Sequence, residues 1–240
     1  MIKNVDFKMK KMLKAGRLIV IAIMGFIMCG LTACETKSKD SSSSIFLVPL
    51  DGISDKQILQ LKSELEKNFF DKEGTYFIVD TLGPGDSPKE CLNKAKTRLW
   101  AKSMVKFLKT NYSNAAESKA KENAKLRDKE YKDWYIIGVT NRDISTEFPG
   151  KDDFGIMGLS FMPNGKASII STYRLRNKKE DLWKLAAHEF GHGYYNLPHC
   201  PEDIDTCLMQ DAKHGNPHFE LKEDFCDGCK IKANSFFNYN

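Results

Sequence analysis

Apolar residues along the chain recur in two rhythms, one of strands and one of helices. Ile45 to Leu50 is a short apolar run closed by Pro49 and Gly52, the pattern of a buried strand. Ser54 with Gln57 three places on forms a capping box, after which Ile58, Leu61, Leu65 and Phe69 repeat at helical spacing. Tyr76 to Leu82 reads as a second strand. Beyond the Gly83-Pro84-Gly85 turn, Ser87, Pro88 and Glu90 predict a helix start, with apolar positions continuing through Leu99, Trp100, Met104 and Phe107. Ala115 to Asp133 is nearly all charged or small with mixed signs, a solvated helical face or mobile excursion. Trp134 to Thr140 forms a third strand. Phe154 to Phe161 and Lys166 to Tyr173 predict a hairpin through Pro163-Asn164-Gly165, whose Asn-Gly pair accepts the positive φ of a tight turn. Asn177 and Glu180 suit a further helix start, and Leu182 to Tyr195 its body. Strands alternating with helices over 45–240, without internal repeat, predict one domain of α/β (α+β) class.

The head of the chain reads differently. A cationic stretch precedes the apolar run Leu18 to Leu31, which is short for a membrane span and ends in Leu31-Thr32-Ala33-Cys34. Residues 1–33 are therefore expected to be an export signal, and the closing tetrapeptide resembles the lipobox of bacterial lipoproteins. That likeness implies cleavage before Cys34, acylation of its thiol, and a protein exported and held to a bacterial cell membrane by its N-terminal lipid. A single anchoring helix or an ordinary secretory signal are the alternatives. Residues 34–44, polar and ending in four serines, are expected to be a flexible tether. The signal also corrects the charge: it holds six of the 37 Lys and Arg and one of the 32 Asp and Glu, so the remainder is balanced at 31 of each. No sequence-wide field recruits phosphates, and nucleic acid is not an expected partner.

The chemistry concentrates in His188-Glu189-Phe190-Gly191-His192. Residues four apart lie one above the other on a helix, so His188 and His192 can offer imidazole nitrogens to one metal, zinc being the natural occupant. Glu189, turned about 100° away, reaches water at that metal and is the candidate general base. With 5 histidines in 240 residues, the pattern has little claim to coincidence. Catalytic zinc takes three protein ligands. The favoured third is His199, which the chain can deliver only by leaving the helix and reversing. Asn196 tolerates the left-handed backbone such a bend needs, and Pro198 forbids continuation of the helix. Asp203, Asp205, His214 and His218 are the rival donors.

The histidine motif, followed by His199-Cys200, Cys207-Leu208-Met209 and Cys226-Asp227-Gly228-Cys229, resembles the archaemetzincin (archaelysin) family of metzincin zinc metallopeptidases. The likeness extends over most of Ile45 to Lys232 and includes Phe154-Gly155 and the run Ser171 to Leu175. It implies a metzincin-like mixed β-sheet with an active-site helix and a small Cys-rich C-terminal part, 200–232. It further implies zinc on His188, His192 and His199, Glu189 as general base, and Met209 in a Met-turn beneath the metal. Three departures are visible: His199 sits one residue later than the family's third histidine, Tyr195 occupies the place of the family glycine, and the gap from Cys200 to Cys207 is two residues longer. Asn196, three residues before His199, stands where a bend-forming glycine would.

The resemblance implies a second, structural zinc on Cys200, Cys207, Cys226 and Cys229, making two per chain. Two disulfides are the competing reading for an exported protein. Cys91, on an apolar face, reads as a buried small hydrophobe. The expected activity is hydrolysis of peptide bonds in a peptide or protein substrate by a monomer, the substrate pairing its backbone with the strand around Phe154 to Phe161. No second electrophile is evident, Tyr239 being too distant in sequence to assign. A zinc-binding lipoprotein without turnover and a disulfide-braced binding protein are the readings from other classes.

Overall fold

In the central strands every residue of an apolar run is covered, because both faces of the sheet carry helices. The computed structural model describes residues 40–70, 77–162, 165–175, 181–202, 204–211 and 221–238. The signal, Cys34, Asp203, His214, His218, Tyr239, Asn177 and Glu180 lie outside the described residues.

β1 (Ser41–Pro49) is the spine. It pairs in parallel with β2 (Phe77–Thr81) on one side and β4 (Glu130–Thr140) on the other; β8 (Ala167–Ser171) adds in parallel to β4, and β7 (Gly158–Ser160) closes the sheet antiparallel to β8. The order is thus β2-β1-β4-β8-β7. Alternation sorts the side chains: Ile45 and Leu47 enter one core with Tyr135, Ile137 and Ile170, while Phe46 and Val48 enter the other with Ile136 and Ile169. A small sheet of β3 (Leu99–Trp100), β5 (Ile144–Phe148) and β6 (Lys151–Ile156) stands beside it.

Among the described residues there are four helices, three of which pack on these faces. α1 (Asp55–Asn68) opens with the expected capping box, Ser54 and Gln57 bonding reciprocally, and buries Ile58, Leu61 and Leu65. α2 (Ala101–Leu126) lies on the opposite face. α3 (Leu182–Gly193) packs under β7 and β8 and against α1, and α4 (Asp227–Asn238) closes the described chain.

Several expectations change. Ser41 to Ser44 are strand, not tether: their backbone pairs with β2 and β4, and the Ser43 hydroxyl meets Tyr194 Oη at 2.9 Å, so distant partners order a segment that looks solvated in sequence. No helix begins at Ser87. Its N–H and hydroxyl donate to Asp51 instead, at 3.0 and 2.6 Å, only a short turn (Lys89–Cys91) follows, and the helix starts at Ala101. The charged stretch supplies the second half of that helix up to Leu126, seated on the sheet by buried Ala116, Ala120 and Ala124, a stripe too small to register as apolar, and its last residues, Glu130 to Asp133, open β4. The run Phe154 to Phe161 divides at Met157 between β6 and β7, and only β7 makes the hairpin with β8. Cys91 is buried as expected, in the short turn.

Candidate active site and metal centres

α3 carries the motif because tertiary packing holds it in place. Phe190, fully buried, meets the rings of Phe70, Phe77 and Tyr135 edge-on at 5.4, 5.5 and 5.3 Å. Each such pair is worth about 0.5–1.5 kcal/mol beyond the area it buries. The two helix glycines are close approaches: a Cβ at Gly191 would overlap Met209 Sδ, and one at Gly193 would overlap the hydroxyl of Tyr135.

The helix ends where a reversal is needed. Tyr194 N–H still donates to Phe190 O, Asn196 adopts φ 56°, and Leu197 N–H turns back to Gly191 O at 3.0 Å. Tyr195 does not take up the bend; its ring is buried against Phe190 and Phe225. A valine at position 196 would meet the left-handed penalty that asparagine tolerates, so Asn196→Val is expected to lower stability by about 1–3 kcal/mol. It is also expected to weaken metal binding at the histidines, whereas Asn196→Gly stays near wild type. Denaturant midpoints with a metal titration check this, and equal behaviour of the two variants would count against the bend as the reason for asparagine.

Beyond the bend His199 comes back towards the helix. One ligand atom from each of His188, His192 and His199 lies within 4.8 Å of the others. The His188 Nδ1 meets Leu208 O, and His192 Nδ1 meets Leu197 O, each at 2.6 Å. A carbonyl only accepts, so both Nδ1 atoms carry the proton. Both Nε2 atoms are then left with lone pairs, and these face one another at 3.0 Å. Two lone pairs at that distance repel unless a cation lies between them. Burial first, and then the neighbouring histidines, hold His188 well below the usual imidazole range; burial brings His192 down to about 4. Neutral rings with fixed tautomers are what zinc coordination requires. His199 is half-exposed, with its Nε2 3.8 Å from Asp211 Oδ1. The rival Asp205 is not part of this group among the described residues.

Glu189 is 5% exposed. Its carboxylate lies under β7, where a Cβ at Gly158 would overlap it, and Ser160 Oγ lies 3.0 Å from Oε2 and 2.6 Å from the Glu189 carbonyl. Burial pushes the carboxyl up to about 8, with the Ser160 hydroxyl opposing. Tyr135, buried with its own titration raised by desolvation, stands 3.4 Å from Ser160. Nothing in the sequence singled out Ser160, Asp211 or Tyr135, because one hydroxyl or carboxylate within an ordinary segment has no spacing signature.

The four cysteines form a second cluster, all as free thiols with ligand atoms within 4.8 Å of one another. Cys200 and Cys226 sulfurs stand 3.7 Å apart, and those of Cys207 and Cys229 3.8 Å. A disulfide needs about 2.05 Å. The edge of a tetrahedron with 2.3 Å zinc–sulfur bonds is about 3.8 Å. The spacing is thus that of a tetrahedral thiolate site and not of two bridges. Burial pushes Cys200 up to about 11 and raises Cys229 as well; at Cys226, burial is outweighed by hydrogen bonds from the Cys229 backbone and the neighbouring thiols. Four thiols in such a place ionise together only around a cation. Met209, fully buried, follows Cys207 in the turn beneath Gly191. Lys222, also absent from any motif, is buried beside that turn.

The fold defines a class: a mixed sheet with an antiparallel edge strand over a histidine-bearing helix, the fold of archaemetzincin-like structures. The chain is similar to the archaemetzincin from Methanopyrus kandleri, with a TM-score of 0.55 and 18% identity over 82% of this chain and 96% of that chain. It is similar also to a zinc-dependent peptidase from Methanocorpusculum labreanum, with a TM-score of 0.52 and 20% identity over 79% of this chain and 100% of that one. At these identities the likeness is one of fold. No protein-family model and no curated protein matches the sequence.

Proposed function

We propose that the chain is a zinc-dependent peptidase of metzincin type. The observation that carries this reading is the pair of Nε2 lone pairs facing each other at 3.0 Å beside a buried carboxylate under an edge strand. His188, His192 and His199 would hold the catalytic zinc, and Cys200, Cys207, Cys226 and Cys229 a structural one, two per chain. Bound zinc supplies Lewis acidity, making water a better nucleophile near neutral pH and polarising a carbonyl.

The chain's own residues do the rest. A cation at the histidines would offset the burial that raises the Glu189 carboxyl and leave it ionised, so that it takes the proton from the attacking water at its carboxylate and returns it to the departing amine. Ser160 holds that carboxylate in one orientation through Oε2. The outer edge of β7 has no strand neighbour among the described residues, so an extended substrate can pair its backbone there, directly above Glu189. Such pairing selects peptides without selecting a sequence. A monomer suffices, since every donor comes from one chain. Met209 fills the turn below α3 and gives the helix a floor. Cys34 would be the lipidated first residue of an exported protein.

The test is digestion of a peptide library by the zinc-loaded protein. Cleavage is expected, together with its loss in chelator and its return on adding zinc. Absence of cleavage by protein containing its metal would defeat the enzyme reading.

A further inference from the structure

Lys222 is only 2% exposed, a burial lysine adopts almost solely with partners. Its Nζ donates to Gln210 O at 2.8 Å and to Cys207 O at 3.3 Å, the two ends of one turn. Everything between those ends serves a metal site. Cys207 places its sulfur in the thiol cluster, and Leu208 offers the carbonyl that fixes the His188 tautomer. Met209 O accepts the N–H of Cys200, the residue after His199, at 2.8 Å. Strand-like bonds from the lysine's own segment complete the frame, Leu208 N–H to Asp224 O at 2.8 Å and Glu223 N–H to Thr206 O at 3.0 Å.

An apolar side chain of the same length would fill this space equally well. What lysine adds is an ammonium that bridges the carbonyls of Cys207 and Gln210, on either side of Leu208, and so ties both ends of the turn whose Leu208 carbonyl meets His188. We propose that Lys222 is a positioning residue that holds the Leu208 carbonyl on His188 and thereby tightens metal binding at the three imidazoles. The role rests on the reading that those imidazoles bind a metal.

Cobalt(II) is the probe, because a thiolate site gives near-ultraviolet charge-transfer absorption with intense bands at the red end of the visible, whereas an imidazole site gives weaker visible bands at shorter wavelength without the charge-transfer absorption. For Lys222→Met the cobalt Kd at the imidazoles is expected to rise about 10–100-fold, the usual effect of losing an outer partner of a metal ligand, with a smaller change at the thiolates. Lys222→Gln, which keeps a neutral NH2 donor group, is expected to fall between Met and wild type, and decides alone where the Met variant fails to fold. The His188 Nδ1 proton is expected to exchange faster in both. Unchanged imidazole affinity, or equal weakening at both sites as general loosening would give, overturns the role. Wild-type protein lacking the imidazole bands defeats the metal reading itself, and this role with it.

Discussion

Glu189→Gln is expected to lower kcat/KM by about 10²–10⁴-fold, the span that general acid–base catalysis contributes, while metal content and fold stay intact. The amide matches the carboxylate in shape, so it fits beneath Gly158 and can still accept from Ser160 through its oxygen. It cannot take a proton from water at neutral pH. Glutamate here is held against its own solvation, as its rise to about 8 shows, so neutral glutamine is expected to leave the melting temperature unchanged or raise it. A fall in activity with no fall in stability separates catalysis from packing. A zinc carrier would be indifferent to the change. Metal-replete Gln variant with wild-type kcat/KM would remove Glu189 from the mechanism.

The parts of this site that the sequence announces are those in which local geometry is the chemistry. His188 and His192 share a helix face by spacing alone, and the bend that brings back His199 is written in Asn196 and Pro198, whose backbone preferences act within a few residues. Elements decided by distant partners are silent. Ser87, Pro88 and Glu90 have the form of a helix start, but Asp51, 36 residues earlier, takes the Ser87 hydrogen bonds and the chain turns instead. Ser41 to Ser44 look solvated until two strands pair with their backbone and Tyr194 meets the Ser43 hydroxyl. Ser160 and Lys222 each act through two bonds to segments 29 and 12–15 residues away, a separation at which no period exists to be read. Phe154 and Gly158 sit in one apolar run but in different sheets, because the chain changes partner strand at Met157. The outline of the fold was therefore legible in the sequence, and the supports of the site were not.

Cys229→Ser is expected to have the largest effect on stability. Cys229 lies in the first turn of α4 and is 3% exposed, so a metal at the four thiolates would tie that helix to the chain around Cys200 and Cys207. Structural zinc can contribute about 10–16 kcal/mol to folding of an isolated site, and even a fraction of that rivals the stability of a whole domain. The variant is expected to lose one of two metal equivalents and to unfold several kcal/mol earlier in denaturant. The loss should also spread: His199 adjoins Cys200, and Leu208, the partner of His188, adjoins Cys207, so imidazole-bound metal becomes easier to strip as well. A disulfide framework predicts the reverse pattern. Reductant alone would then cost about 2–4 kcal/mol per bridge, chelator would cost nothing at the cysteines, and the intact mass would rise on reduction. Sulfurs 3.7 and 3.8 Å apart argue for stability that a chelator removes and a reductant leaves untouched. Wild-type protein that loses stability in reductant but not in chelator would sink the thiolate-metal site.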